Sequence, residues 1–374
     1  MGGRLADLEL LVGSGEFWRR AAGDVASARR RLFVQAMTFE GDSAGLPVAA
    51  AIETSGAADR RVLVDGYTRM VVNDRFVWSP RNLFDGGLRA EVHSTERMLD
   101  RLTSAGVKVR LTNPIGPFLW RYPARNHKKL IVADDVAYIG GINFSDHNFA
   151  WRDFMLRLEG EAVAAFLADD FAATFAGDPR PSKARFGDLR LHAMDGRGNA
   201  DGFGEVLRMI DGARSEITVI SPYLTFPFTN ALARAARRGL AVRLITPLAN
   251  NKPIVRDYLL AAAARCGMDV RLLAEMSHEK GILIDRERLV IGSSNFDFVS
   301  LAVEEELMAI VESPALIDAF ERRIIAPALA AALPRGAGKP SRIAGQAARV
   351  ALHLADRLVQ GARRSKRTAR DWRG

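Results

Sequence analysis

The hydrophobic positions of this chain switch period several times, and they do so in the same order twice. Gly15-Glu-Phe-Trp opens a helical stretch, the run after Ala28-Arg-Arg-Arg suits a strand, Leu46 to Thr54 returns to helical spacing, and Arg61-Val-Leu-Val-Asp65 suits another strand. Further on, Phe203-Gly-Glu-Val-Leu, Ala213 to Ile220, Asn230 to Arg238 and Ala241 to Ile245 repeat that alternation. Alternating helices and strands predict an α/β chain whose sheets are covered by helices. Both series then run into a pair of short apolar strands: Lys129-Leu-Ile-Val-Ala with Val136 to Ile139, and Lys280-Gly-Ile-Leu-Ile with Arg288 to Ile291. An Asp in each copy, Asp134 and Asp285, starts the turn of a hairpin.

The repeat sets the expected organisation: a first domain over 1–180, a second over 189–334, and a tail over 335–374, with the linker in the Pro-, Lys- and Arg-rich stretch from Asp178 to Gly187. The halves differ by an insertion. Ile245 lies 33 residues before His278, whereas Val64 lies 63 before His127. The extra length falls around Tyr67 to Arg97 and predicts an added hairpin.

Chemistry enters with the residues at the mouths of the hairpins. His127-x-Lys129-x4-Asp134 is followed by Gly140-Gly141-x-Asn143, and His278-x-Lys280-x4-Asp285 by Gly292-Ser293-Ser294-Asn295. In extended backbone, His and Lys two apart share one face. A lone His-x-Lys is usually an ordinary pair of strand residues, but two copies, each with a Gly-led Asn downstream, are not a product of composition. An imidazole can attack phosphorus or donate a proton, an ammonium can neutralise phosphoryl oxygens, and an amide can donate hydrogen bonds to them. Together they suit a phosphodiester. One histidine would form a phosphohistidine and the other would protonate the departing alcohol and later deprotonate the incoming one. That chemistry requires no metal or other cofactor, and no Cys/His ligand spacing is present. Asp134 and Asp285 read as structural residues of the turns.

The paired motifs resemble the phospholipase D superfamily, and over roughly residues 10 to 330 its bacterial cardiolipin synthase-like branch. Gly140-Gly-Ile-Asn-Phe-Ser-Asp146, Trp151-Arg-Asp153, Gly292-Ser-Ser-Asn-Phe-Asp297 and Ser300 carry the likeness; the chain departs from it at Val299, where the branch commonly has Arg. The resemblance implies two pseudo-symmetric α-β-α sandwich domains with one active site at their interface. It also implies catalytic His127, Lys129, His278 and Lys280, phosphate-binding Asn143 and Asn295, and orienting acids at Asp153 and Glu306, with Glu304 and Glu305 adjacent to the latter. It favours His127 as nucleophile, an order the residues alone leave open. The implied activity is phosphatidyl transfer to an alcohol such as phosphatidylglycerol, with phospholipid hydrolysis or nuclease action as alternatives.

Charge bears on the substrate. The formal net charge is +9, and residues 335–374 hold 11 basic against 2 acidic residues, so the remaining 334 are formally neutral. A nuclease groove would be basic itself, which makes nucleic acid an unlikely partner and an anionic membrane surface the expected one. In the tail, Ile343, Ala347, Val350, Leu354 and Leu358 recur at helical spacing among arginines. That pattern fits either an interfacial amphipathic helix or a helix packed on the domain. Phe118, Leu119, Trp120 and Tyr122, just before His127, suit either acyl chains or the core, as do the aromatics of Pro222 to Phe228. The branch usually carries two N-terminal membrane spans; this chain has no signal peptide and no run of about 18 apolar residues. The single Cys266, read as buried filler, fits a reducing compartment. A cytoplasmic enzyme peripheral to the inner face of the cell membrane is expected, its oligomeric state open.

Overall fold

The computed structural model describes residues 7–115, 119, 121–334, 338 and 342–368. They form two units of similar size, divided between Gly187 and Asp188. Strand Ser182–Phe186 occupies part of the stretch expected to be a linker.

In the first unit the sheet order is Asp7–Val12, Phe154–Glu159, Val136–Gly140, Leu130–Ala133, Arg31–Ala36, Asp59–Asp65, Lys108–Thr112. The last three run parallel and the other neighbours pair antiparallel. Strands of the second unit follow the same plan: Leu189–Asp195, Glu305–Val311, Arg288–Gly292, Gly281–Ile284, Glu216–Ile220, Ala241–Pro247, Asp269–Leu273. Pairing senses also match position for position. The sequence repeat is therefore a repeat of topology.

Parallel neighbours cannot be joined by a tight turn, so each pair needs a crossover, and helices supply it. Gly45–Thr54 and Gly86–Ser104 serve the first unit, Phe228–Arg237 and Pro253–Cys266 the second. Asp85 caps Gly86–Ser104 by accepting from Leu88 N at 3.0 Å, and Pro253 opens its counterpart, which ends at Gly267 with φ 70°. These helices bury one face of each sheet over a core that includes Phe17, Phe39, Tyr138 and Phe144 in one unit and Phe203, Phe228 and Phe296 in the other. Helix Glu161–Ala176 packs on strands of the first sheet. In the second unit Phe320 lies so close to Gly281 that an added Cβ would meet its ring at 2.7 Å, so this glycine makes room for the covering helix.

The additional length of the first half divides between two places. A 3₁₀ turn at Gly66–Arg69 and a hairpin of strands Val71–Val72 and Arg75–Phe76 precede helix Gly86–Ser104, and a long loop follows strand Lys108–Thr112. In that loop Phe118 and Trp120 lie outside the described residues, while Leu119 and Tyr122 are exposed. The Pro222 to Phe228 stretch takes the core alternative: Tyr223, Leu224 and Phe228 are buried, and Phe226 stacks on Phe298 with ring centroids 5.0 Å apart. Cys266 is half-buried, 3.9 Å from the Arg237 guanidinium, and so is not wholly the buried filler expected.

Helix Arg342–Thr368 is not a detached tail. It packs along Pro253–Cys266, burying Ala348, Leu352 and Val359. Gly345 permits the approach, since a Cβ there would meet Ala261 Cβ at 2.4 Å, and His353 stacks on Phe226 at 4.4 Å. The stripe singled out from sequence falls elsewhere on the helix. Ile343 is 82% and Leu358 76% exposed, with Val350 and Leu354 also exposed. The helix is therefore packed on the domain by one face, and the stripe lies on another that remains in solvent.

Asp134 and Asp285 sit at the turns of the central hairpins with φ 51° and 53°. Asp134 accepts backbone N–H groups from Arg29, Arg30 and Arg31 at 2.8 to 3.0 Å; Asp285 accepts those of Arg214, Ser215 and Glu216 at 2.8 to 3.2 Å. Burial opposes ionisation of both carboxyls, but the backbone donors outweigh it and hold them below the ordinary aspartate range. A group held below its unfolded pKa stabilises above that value and loses the contribution as pH falls through the folded one. Asp285→Ala is expected to lower unfolding free energy by about 2–3 kcal/mol at pH 7. Urea titrations should show that deficit shrinking as pH drops below 4.

Candidate active site

Both His-x-Lys pairs immediately precede the central strands, which start at Leu130 and Gly281, and do not lie within them as the sequence pattern suggests. The ladder stops there in the first unit because the neighbouring chain turns away after Ala36 to meet Asn143. His127, Lys129, His278 and Lys280 are all buried. Each lysine curls back on its own motif: Lys129 Nζ donates to His127 O at 2.7 Å and Lys280 Nζ to His278 O at 2.6 Å. The same short contact in both units holds each ammonium against the backbone of its own histidine.

The intervening residues point elsewhere, as a period of two requires. Lys128 makes a buried ion pair with Asp170 of helix Glu161–Ala176, at 2.7 and 2.8 Å; Glu279 accepts from Ser277 Oγ at 2.7 Å. Arg125, two residues before His127, donates to Asp65 Oδ1 at 2.7 Å, and Asn126 N donates to Asp65 Oδ2 at 2.5 Å. The approach to His127 is thereby fixed to the end of strand Asp59–Asp65. Lys128, Asp170, Arg125 and Asp65 escaped the sequence reading, because a lone charge carries no sign of the partner it meets 40 to 60 positions away.

The asparagines follow the second hairpin strand, and their settings differ. Asn143 Oδ1 accepts from Met37 N and Thr38 N at 3.2 and 3.3 Å, which turns its amide N–H groups outward, one of them to Asn148 Oδ1 at 3.4 Å. Phe39 and Leu224 hold matching bridges to Phe144 and Phe296, so Pro222 occupies the place of Met37. Proline has no N–H. Asn295 Oδ1 accordingly is buried with no hydrogen-bond partner among the described residues.

Strand register aligns the two acids. Gly140 pairs with Met155 and Gly292 with Met308; stepping back two residues from each methionine gives Asp153 and Glu306, not Glu304 or Glu305. The Asp153 carboxylate lies against Gly141, where an added Cβ would meet both oxygens at 2.4 Å, which explains the second glycine of that motif. Ser293 takes its place in the other unit and donates to Glu306 Oε2 at 2.5 Å, while Ser300 Oγ donates to Glu306 Oε1 at 2.9 Å. The second site also has a cation unread from sequence: Lys252 Nζ sits 4.2 Å over the Tyr223 ring, which packs edgewise on the His278 ring at 6.0 Å. Its place in the turn after the parallel strand Ala241–Pro247, where α/β sheets collect ligands, was the available signal.

A carboxylate cluster adjoins the Asn143 loop. Glu40, Asp42 and Glu91 bring one oxygen each within 4.8 Å of one another, a grouping able to share a proton or hold a cation. Glu40 is fully buried; one oxygen accepts from Asn73 N at 3.0 Å and the other meets no donor among the described residues. Burial, reinforced by the Asp42 and Glu91 charges, pushes its carboxyl up to about 9.

A family model described as cardiolipin synthase, phospholipase D-like domain, matches residues 206–326. Minor cardiolipin synthase ClsB of Bacillus subtilis (strain 168) is 30% identical over 242 residues, 58% of this chain and 60% of that protein. Cardiolipin synthase B of Escherichia coli (strain K12) is 27% identical over 346 residues, 81% of this chain and 76% of that one. Among solved structures, phosphatidylserine synthase of Haemophilus influenzae Rd KW20 superposes with TM-score 0.70 at 14% identity, covering 96% of this chain and 97% of that one. Residues 206–326 thus match a phospholipase D-like domain, and the chain is similar to bacterial cardiolipin synthases in sequence.

A carboxyl whose folded pKa is raised stabilises fully below its unfolded pKa, and the contribution is lost as pH rises through the folded value. The thermal stability of the protein should therefore decline between about pH 4.5 and 9. Glu40→Gln keeps the acceptor for Asn73 without the charge. It is expected to raise the unfolding midpoint at pH 8 by about 2–4 °C or more and to flatten that decline in a calorimetric pH series.

Proposed function

We propose that this protein is a phosphatidyltransferase of the cardiolipin synthase type, and that both histidines act on one phosphodiester. The observation that carries the reading is the doubled motif: on two sheets that share one order over seven strands, a His-Lys pair, its lysine donating to the histidine carbonyl, directly precedes the same strand, with an Asn after the next one. Similarity to cardiolipin synthases supports the choice of lipid.

His127 attacks phosphorus, forming a P–N bond as the P–O bond to the departing alcohol breaks. His278 gives that alkoxide its proton, then takes one from an incoming alcohol, whose oxygen attacks phosphorus and breaks the P–N bond. Lys129 and Lys280 neutralise the phosphoryl oxygens in both displacements. Asn143, its carbonyl oxygen held by two backbone donors, and Asn295 donate amide hydrogen bonds to them. Asp153 and Glu306, held by register and by Ser293 and Ser300, orient the imidazoles and support their charged forms. Phosphatidylglycerol fits the acceptor role because its headgroup ends in a free alcohol; water in that position would give hydrolysis.

The enzyme works at a membrane surface. No helix among the described residues is long and apolar enough to cross a bilayer. The exposed stripe of Ile343, Val350, Leu354 and Leu358, flanked by exposed Arg349 and Arg357, suits insertion at an anionic interface.

Purified protein in chelator with liposomes of phosphatidylglycerol and phosphatidylethanolamine is expected to form a lipid with two phosphatidyl groups, seen by mass spectrometry. His127→Ala and His278→Ala should each cut the rate at least about 10³-fold. If no new lipid forms while the wild type cleaves single-stranded DNA and both variants do not, the lipid assignment is wrong. Replacing Ile343, Leu354 and Leu358 together by Ser should weaken sedimentation with anionic vesicles about tenfold or more. Turnover of detergent-dispersed substrate should be retained.

A further inference from the structure

The segments that enlarge the first half enclose a cavity of about 690 Å³, within the range of small-ligand pockets. Met70, Val77, Trp78 and Leu83 of the inserted segment line it, together with Val92 of helix Gly86–Ser104 and Ile115 of the long loop. Exposed Arg69 and Arg89 also line it. In the second unit, residues 248–252 alone join strand Ala241–Pro247 to its helix. The cavity is thus built from what the first half has in addition.

Its position relates it to the motif. Gly66 and Thr112 form part of the lining, at the ends of adjacent parallel strands. Gly66 follows Asp65, the residue that holds Arg125 and Asn126 just before His127. The walls are mostly apolar, and although Glu96 also lines the cavity and Arg89 donates to Leu83 O at 2.7 Å, the two guanidinium groups outnumber the one carboxylate, a set that matches an apolar chain attached to an anion. Trp78, 61% exposed, presents an aromatic surface of the type that settles at lipid interfaces.

We propose that this cavity receives one acyl chain of the phospholipid substrate, with Arg69 and Arg89 facing the anionic glycerophosphate end, so that binding energy from the chain helps to place the phosphodiester toward His127. The proposal rests on the lipid reading of the motif site, and it makes the first unit the one that selects for chain length.

The test uses two readouts. Lysophosphatidylglycerol carrying a fluorescent polyene acyl chain, kept below its aggregation threshold, is titrated into the wild-type protein, His127→Ala, Val92→Trp and Trp78→Asp. Saturable binding is expected for the wild type and for His127→Ala. It should weaken about tenfold in Val92→Trp, which fills the cavity, and in the surface variant Trp78→Asp, whose fold is not at issue. In turnover, the same two cavity variants should raise KM for dioleoyl phosphatidylglycerol about tenfold while KM for the dihexanoyl lipid moves less than twofold. Probe binding that depends on the cavity, without lipid turnover by the wild type, would overturn the reaction assigned to the motif and leave the cavity assignment standing. Wild-type turnover with unchanged probe binding and an unchanged KM ratio in both cavity variants would overturn the cavity assignment alone.

Discussion

The carboxylates of Asp134 and Asp285 each gather three consecutive backbone N–H groups at the start of a neighbouring strand, and the geometry of both motif sites depends on that clamp. It locks the register of Leu130–Ala133 against Arg31–Ala36 and of Gly281–Ile284 against Glu216–Ile220. A slip of one residue would turn every side chain to the other face. His127 and Lys129 would then exchange places with Lys128, whose ammonium is committed to Asp170 on the far side of the sheet. The turn residues act at a distance: they hold the end of the hairpin that carries no chemistry so that the other end presents it.

The two copies have diverged where divergence is tolerable. Gly141 and Ser293 occupy equivalent places and solve one problem in two ways: the first gives the Asp153 carboxylate room against the backbone, the second donates to the longer Glu306. Asn143 is anchored by two backbone donors, one of which Pro222 cannot supply to Asn295. In the second unit Lys252, stacked on Tyr223 beside His278, brings a further positive charge. The sites are therefore alike in covalent parts and unlike in electrostatic setting.

The C-terminal helix shows how one amphipathic sequence can serve two surfaces. Small residues at Gly345 and Ala348 let it lie close along Pro253–Cys266, while the larger Ile343, Val350, Leu354 and Leu358 remain in solvent. Burying both faces would require a second partner, and the interface of lipid and water proposed for it would supply one without a fixed shape. The same division recurs in the first unit, where the inserted segment buries Val71 and Val72 and leaves Trp78 and Phe84 exposed.

Much of the molecule was legible from the chain alone: the alternation of helices and strands, the repeat, the His-Lys-Asn constellations, the turn aspartates and the apolar stripe of the tail. These features are local or periodic, so neighbouring residues carry the signal. Other features depended on contacts between distant positions. Whether Glu304, Glu305 or Glu306 matches Asp153 was decided by the pairing of Gly292 with Met308. That Lys128 faces Asp170, that Glu40 meets Asp42 and Glu91, and that the two extra segments of the first half enclose one cavity all follow from packing. Even the backbone at the motifs changed in the fold: both lysines end a coil and do not sit in a strand, and in the first unit the chain that would have paired with Lys129 turns off to hold Asn143. Sequence determined which groups are available, and tertiary structure decided which of them meet, because a side chain's partner is set by register and packing across elements that the linear order does not bring together.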